Sequence, residues 1–126
     1  MVLLDFVTRQ DDRHLSNTAL KIAGQGESFY PLYDNGRSLF YEDTEDTVLA
    51  AIADPIEHAT TFGPVGTYWD HIQDIAARGI GFRTFANLDV SEGTVETLLV
   101  EAGFTGYRLS GAREWIMQTL DLVKGL

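Results

Sequence analysis

The pattern of apolar residues changes period at residue 43, and that change constrains the fold more than any other feature of the chain. Beyond it, apolar side chains recur at steps of three and four, which puts them on one face of a helix. Ahead of it, two short strand-like runs flank Gly24-Gln25-Gly26, where glycine supplies the positive φ that hairpin turns require. Strands gathered at one end and helices at the other give an α+β fold, here mainly α, with a short N-terminal β-hairpin ahead of a helical block. No repeat, low-complexity tract or linker interrupts the 126 residues, so a single domain is expected over 1–126.

The elements follow in order. Val2 to Thr8 is apolar apart from Asp5 and reads as the last turns of a helix. Thr18–Ile22 and Glu27–Tyr33 are the strand candidates. Gly24 and Gly26 offer no phosphate loop, because no helix follows them to point its N–H groups at an anion. Asp43 or Thr44 caps the next helix, whose first turn carries Glu45 and Asp46 and whose apolar face is Val48, Leu49 and Ile52; Asp54-Pro55 ends it. A second helix of the block runs from about Thr67 to Arg78, with Tyr68, Trp69, Ile72, Ile75 and Ala76 inward and Gly79 as its stop. Ser91 caps a third, with Val95, Leu98, Leu99 and Ala102 at helical spacing and Gly103 after its end. The last runs from Gly106 or Leu109 to Lys124 and buries Ala112, Trp115 or Ile116, Leu120 and Val123. Phe82 and Phe85, in the connector 80–88, are expected as core anchors, and Phe104 and Tyr107 join the other aromatics there.

Charge excludes some functions. Nine basic residues against nineteen acidic give a formal charge of −10, which repels phosphate backbones and anionic membranes. Without cysteine there is no disulfide framework and no thiolate metal site. The opening Met-Val-Leu-Leu is broken by Asp5 and has no basic lead, unlike a signal peptide, and no apolar run nears the ~20 residues that span a bilayer. A cytoplasmic protein is the expectation.

Two polar stretches remain to be explained. Asp12-Arg13-His14-Leu15-Ser16-Asn17 follows the first helix, and Tyr33-Asp34-Asn35-Gly36 follows the hairpin. Taken singly, Asp12 reads as a loop acid, Asn17 as a turn residue and Asp34 as part of an Asp-Asn-Gly turn. Taken together they are what phosphoryl transfer needs. One aspartate orients the attacking hydroxyl and takes its proton, while an asparagine and a second aspartate hold the magnesium that bridges nucleotide phosphates. The five-residue step from Asp12 to Asn17 equals that of the protein-kinase catalytic loop, and it selects Asp12 over the adjacent Asp11.

The order Asp-Arg-His-x-x-Asn, with its histidine after the aspartate, resembles the catalytic loop of HipA-like serine/threonine kinases, the toxins of bacterial toxin–antitoxin pairs. In that family the loop follows a helix, and a β-hairpin then leads to a Tyr-Asp magnesium site, the order found here. The resemblance is close over the first third of the chain and loose beyond it, as the helical end of a kinase C-lobe. It implies a catalytic and metal-binding segment over 9–40 and a helical block over 43–126. Asp12 is then the general base. His14 joins it in a supporting role, hydrogen-bonding the loop backbone or Asp34. Asn17 and Asp34 are the implied ligands of magnesium and, through it, of ATP. Phosphoinositide 3/4-kinases share a similar loop, so a lobe of that kind is an alternative.

The Gly-rich cover and the phosphate-pairing lysine of a kinase N-lobe are missing. The two lysines, Lys21 and Lys124, both follow the loop. The chain is expected to be inactive alone, its N-lobe coming from a longer parent or a separate polypeptide. The non-enzymatic alternative is a truncated or repurposed module that binds a protein partner such as a DNA-binding antitoxin. Around the motif, Arg13 is expected to pair with Asp11 or a phosphate, Gly36 to take a conformation denied to other residues, and Arg37 to be solvated. Asp70, His71 and Asp74 read as the solvated face of their helix, and His58 as isolated.

Overall fold

The computed structural model describes residues 1–14, 19–29, 36–60, 66–80, 87 and 89–126. Helix α1, Val2–Val7, is only six residues long, too short to persist on propensity alone, so burial of Leu3 and Phe6 holds it. Strand β1, Leu20–Ala23, pairs antiparallel with β2, Gly26–Phe29, from Leu20↔Phe29 to Ala23↔Gly26. Gly26 therefore belongs to the strand, and Gly24-Gln25 alone make the turn, with Gly24 at φ +62°. All of β1 is exposed, and among the described residues the hairpin packs against no other element. The continuation of the second strand to Tyr33 lies outside the described residues, as do Phe82 and Phe85.

The helical block begins with α2, Glu45–Ala53. Thr44, not Asp43, is its cap, the hydroxyl accepting the Thr47 N–H at 3.4 Å. A 3₁₀ turn at Pro55–Glu57 follows. Helix α3, Tyr68–Ala77, opens with a full capping box: the Thr67 hydroxyl accepts the Asp70 N–H, and the Asp70 carboxylate accepts the Thr67 N–H, both at 3.1 Å. Helix α4, Glu92–Glu101, is capped by Ser91 as its sequence predicts, and α5, Gly106–Lys124, is the long helix on which α1, α2 and α4 all pack.

Trp115 of α5 stands at the centre. Its indole N–H donates to the Phe6 carbonyl at 3.0 Å, and its ring meets Phe6 and Phe40 edge to face at 6.1 and 5.9 Å. Such contacts add to what area burial alone provides. Leu3, Val48, Tyr68, Ile72, Val95, Leu99, Ala112 and Val123 join them in the core. Two expected core residues face solvent instead, Leu49 at 55% and Leu98 at 59% exposure. Each lies on a helix whose principal contact is α5 alone, so only the narrow stripe of Val48, or of Val95 and Leu99, is covered. Ala102 is exposed as well, and Tyr107 points its hydroxyl to the Asp43 carbonyl at 3.0 Å rather than into the core. No helix among the described residues is long and apolar enough to cross a membrane.

Two outcomes follow from this packing. A Cβ added at Gly111 would overlap Val48 Cγ1, a buried side chain of the core. Gly111→Ala gains at most about 1 kcal/mol of helix propensity, against about 1–3 kcal/mol for overpacking a core. It should lower the urea midpoint of unfolding rather than raise it. The second concerns acid. The Thr67 N–H, and after it the Thr67 hydroxyl, hold the Asp70 carboxyl below its usual value of 3.8. A carboxyl lowered by folding stabilises above its unfolded pKa and loses that contribution as pH falls through the folded one. Carboxyl-carbon NMR should find Asp70 titrating below its usual value, and Thr67→Ala should raise it only part of the way, since the Thr67 N–H, the larger cause, is kept.

Candidate active site

Residues 5–13 carry three polar side chains that are almost wholly withdrawn from water: Asp5, Gln10 and Arg13. Arg13 does not reach Asp11 or project outward for a phosphate. Its Nε donates to Asp5 Oδ2 at 3.0 Å and its Nη2 to Asp5 Oδ1 at 2.9 Å, the two-pronged geometry that suits guanidinium and carboxylate. The chain can fold back this way because α1 stops at Val7 and Arg9 takes a left-handed φ of 45°. The Gln10 N–H donates to the Asp5 carbonyl at 2.8 Å, and the Gln10 carbonyl accepts the Tyr68 hydroxyl at 3.3 Å.

Asp12 sits between those buried anchors. Its N–H donates to Gln10 Oε1 at 3.2 Å, and its carboxylate is 48% exposed. A loop whose two flanking side chains are buried holds its middle residue at the surface without burying it. His14 lies beside Asp12, but at 4.0 Å between Nε2 and Oδ1 the pair is beyond hydrogen-bond reach. Asn17 and Asp34 lie outside the described residues, and with them the expected meeting of Asp12, Asn17 and Asp34 at one end of the hairpin.

The chain after the second motif is fastened to the first. The Asp11 N–H donates to the Arg37 carbonyl and the Leu39 N–H to the Thr8 carbonyl, both at 3.0 Å. Here the left-handed residues are Arg9, Leu39 and Phe40, at φ 45°, 51° and 65°. A Cβ at Gly36 would touch nothing within 4 Å, and the backbone angle expected to be special there depends on Asn35, which lies outside the described residues. Arg37 is exposed, as its sequence context suggests.

Sequence reasoning missed the network under the loop. His58 is not isolated. Its side chain is 7% exposed, with Nε2 3.1 Å from Asp11 Oδ1 and its ring 4.7 Å from Tyr68 and 5.4 Å from Trp115. Asp11 also takes Arg9 Nη1 at 2.7 Å, and the same nitrogen reaches Asp43 at 2.9 Å. The Arg9 guanidinium lies 4.4 Å over the Phe40 ring, a cation–π contact. One signal pointed here: Asp5, a single charge inside an otherwise apolar helix, needs a buried partner. Asp70 and Asp74 prove to be a cap and an exposed partner of Arg78 at 2.8 Å, in keeping with a solvated face, whereas His71 between them is half-buried.

Magnesium takes hard oxygen ligands and keeps several of its waters. Asp12, Asn17 and Asp34 offer only such oxygens, so the chemistry of the donor set suits that ion. Among the described residues no three His, Cys, Asp or Glu side chains converge as a metal site. Set against known proteins, the chain matches no family, no curated protein and no solved structure.

Breaking a buried ion pair by removing one partner costs about 3–5 kcal/mol, whereas replacing both partners by apolar groups is often neutral. Asp5→Ala should therefore unfold the chain at markedly lower urea. The double variant Asp5→Leu/Arg13→Met should recover most of the loss. Equal stability of Asp5→Ala and the parent would show that the pair is not buried in solution.

Proposed function

We propose that this chain is the C-lobe of a HipA-like serine/threonine kinase. The observation that carries the reading is the fastening of Asp11 to Arg37: it ties the residue before the candidate base to the chain three residues beyond the candidate metal ligand Asp34. The chain just after the second motif is thereby fastened to the start of the first, which supports a reading in which the two share one substrate. In this reading Asp12 accepts the proton of a serine or threonine hydroxyl as that oxygen bonds to the γ-phosphorus of ATP and ADP leaves. Asn17 and Asp34 would hold magnesium, which would supply charge that neutralises the phosphates. His14 stays beside the base without taking the proton. The Gly-rich cover and lysine come from an N-lobe outside these 126 residues, and an antitoxin-like protein is the partner the resemblance implies.

Catalysis of this type is mostly positioning and charge neutralisation, so the chain alone should show no turnover with labelled ATP and magnesium. With an N-lobe supplied, transfer to a serine protein should appear, and Asp12→Asn should cut it by about 10²–10⁴. Asp34→Ala should abolish magnesium-dependent nucleotide binding as well. Transfer to a phosphoinositide in place of protein would move the chain to the alternative substrate class. Robust transfer by the chain alone, lost in Asp12→Asn, would overturn the division of the site between two lobes.

A further inference from the structure

The face formed by α2 and α5 carries two adjoining hollows of about 370 and 670 Å³ that share Ile52, Ala53 and Gln118 as a common wall. Their floor is apolar. Leu49 is 55% exposed there, Ile52 is half-buried, and Trp69 and Leu122 continue the surface towards the 3₁₀ turn. Gly111 lets α2 and α5 approach closely beneath the first hollow, since a Cβ there would overlap Val48 Cγ1.

The rim is acidic. Glu45 and Glu114 border the first hollow and Asp121 the second. Arg113 is the one cation lining either of them among the described residues, and it is already engaged, 2.8 Å from Glu96 and 3.2 Å from Glu92. An apolar floor between carboxylates complements a helix that presents a narrow apolar stripe flanked by lysine or arginine. Helix α2 is nine residues long, and at 1.5 Å per residue its flank accepts about two and a half turns of such a helix. The same charge argues against other occupants. A second copy would bring its own carboxylates onto these, and a nucleic acid would bring phosphates. The hollow between α1 and α4 differs: it is lined by apolar residues throughout, among them Leu4, Val7, Leu98 and Phe104, and so selects no partner by charge.

We infer that the α2–α5 groove is a docking site for a cationic amphipathic helix of a partner protein. Neither the groove nor its occupant depends on the phosphoryl-transfer reading.

The test uses the full 126-residue chain, labelled for NMR, and three synthetic fourteen-residue peptides. One carries leucines at i, i+4, i+7 and i+11 with lysines between them. The second has the same composition in scrambled order, and the third replaces each lysine by glutamate. The first should shift the resonances of Leu49, Ile52 and Gln118 and bind at least about tenfold more tightly than either control, with affinity falling as salt screens the rim. Leu49→Lys should weaken it about tenfold or more, since a like charge then stands at the centre of the contact. Val100→Lys adds the same charge at a comparably exposed residue on α4, 53% exposed and outside the groove, and should leave binding unchanged. Equal binding of the scrambled peptide, or equal loss in both variants, would overturn the inference in favour of unspecific attraction to an acidic protein. A concentration-dependent dimer in sedimentation, abolished by Leu49→Lys, would overturn it in favour of a second copy.

Discussion

The salt bridge between Asp5 and Arg13 is the contact on which the N-terminal third depends. Removing a guanidinium and a carboxylate from water costs several kcal/mol for each ion, and attraction offsets that only where the geometry is good. Here both prongs of the fork are used, at 2.9 and 3.0 Å, with neither side chain more than 1% exposed. Two consequences follow from where these residues sit. Helix α1 must lie against the body of the protein, because a buried carboxylate on a loose helix would be left in water without its partner. The loop beginning at Asp12 must also start at one fixed place, because the next residue is already committed.

From that fixed start the charges divide by depth. Asp5, Gln10 and Arg13 face inward, and Asp12 and His14 remain half in water. Between the two layers run His58, Asp11, Arg9 and Asp43, each joined to the next at 2.7 to 3.1 Å and backed by the rings of Phe40, Tyr68 and Trp115. These residues come from the loop, the end of the 3₁₀ turn and the approach to α2. Hydrophobic contacts alone could hold those segments near one another. Paired charges also set their register, since each donor must meet its own acceptor.

The elements legible in the sequence were those made by local rules. Ser91 and Thr44 cap helices because a side-chain oxygen reaches an N–H three residues on, whatever the rest of the chain does. The helix stops and the hairpin turn are of the same kind. Helix faces were less legible: Leu49 and Leu98 satisfy the period, yet exposure depends on how wide a face the neighbour covers, and periodicity does not carry that information. The candidate base could be singled out from spacing, but its setting could not. The His58–Asp11 contact joins residues 47 apart and Arg9–Asp43 residues 34 apart, separations at which no local pattern links two side chains. Arg13 was misassigned for the related reason that its nearest acid in sequence is not its nearest in space.

Backbone strain gathers at the same place as the charges. A residue with a side chain in the left-handed region costs about 1–2 kcal/mol, and Arg9, Leu39 and Phe40 all occupy it. They face one another across the bond from the Leu39 N–H to the Thr8 carbonyl, with the Arg9 guanidinium over the Phe40 ring. Such strain persists only where surrounding contacts over-determine the conformation. Those contacts are present: Phe40 is fully buried against Trp115, and Arg9 is held by two carboxylates. Glycine at any of the three positions would relieve the backbone but would also remove the ring or the guanidinium that brings the two segments together. The strained residues are thus the ones whose side chains make the clasp, and the conformation is kept because the clasp needs them there.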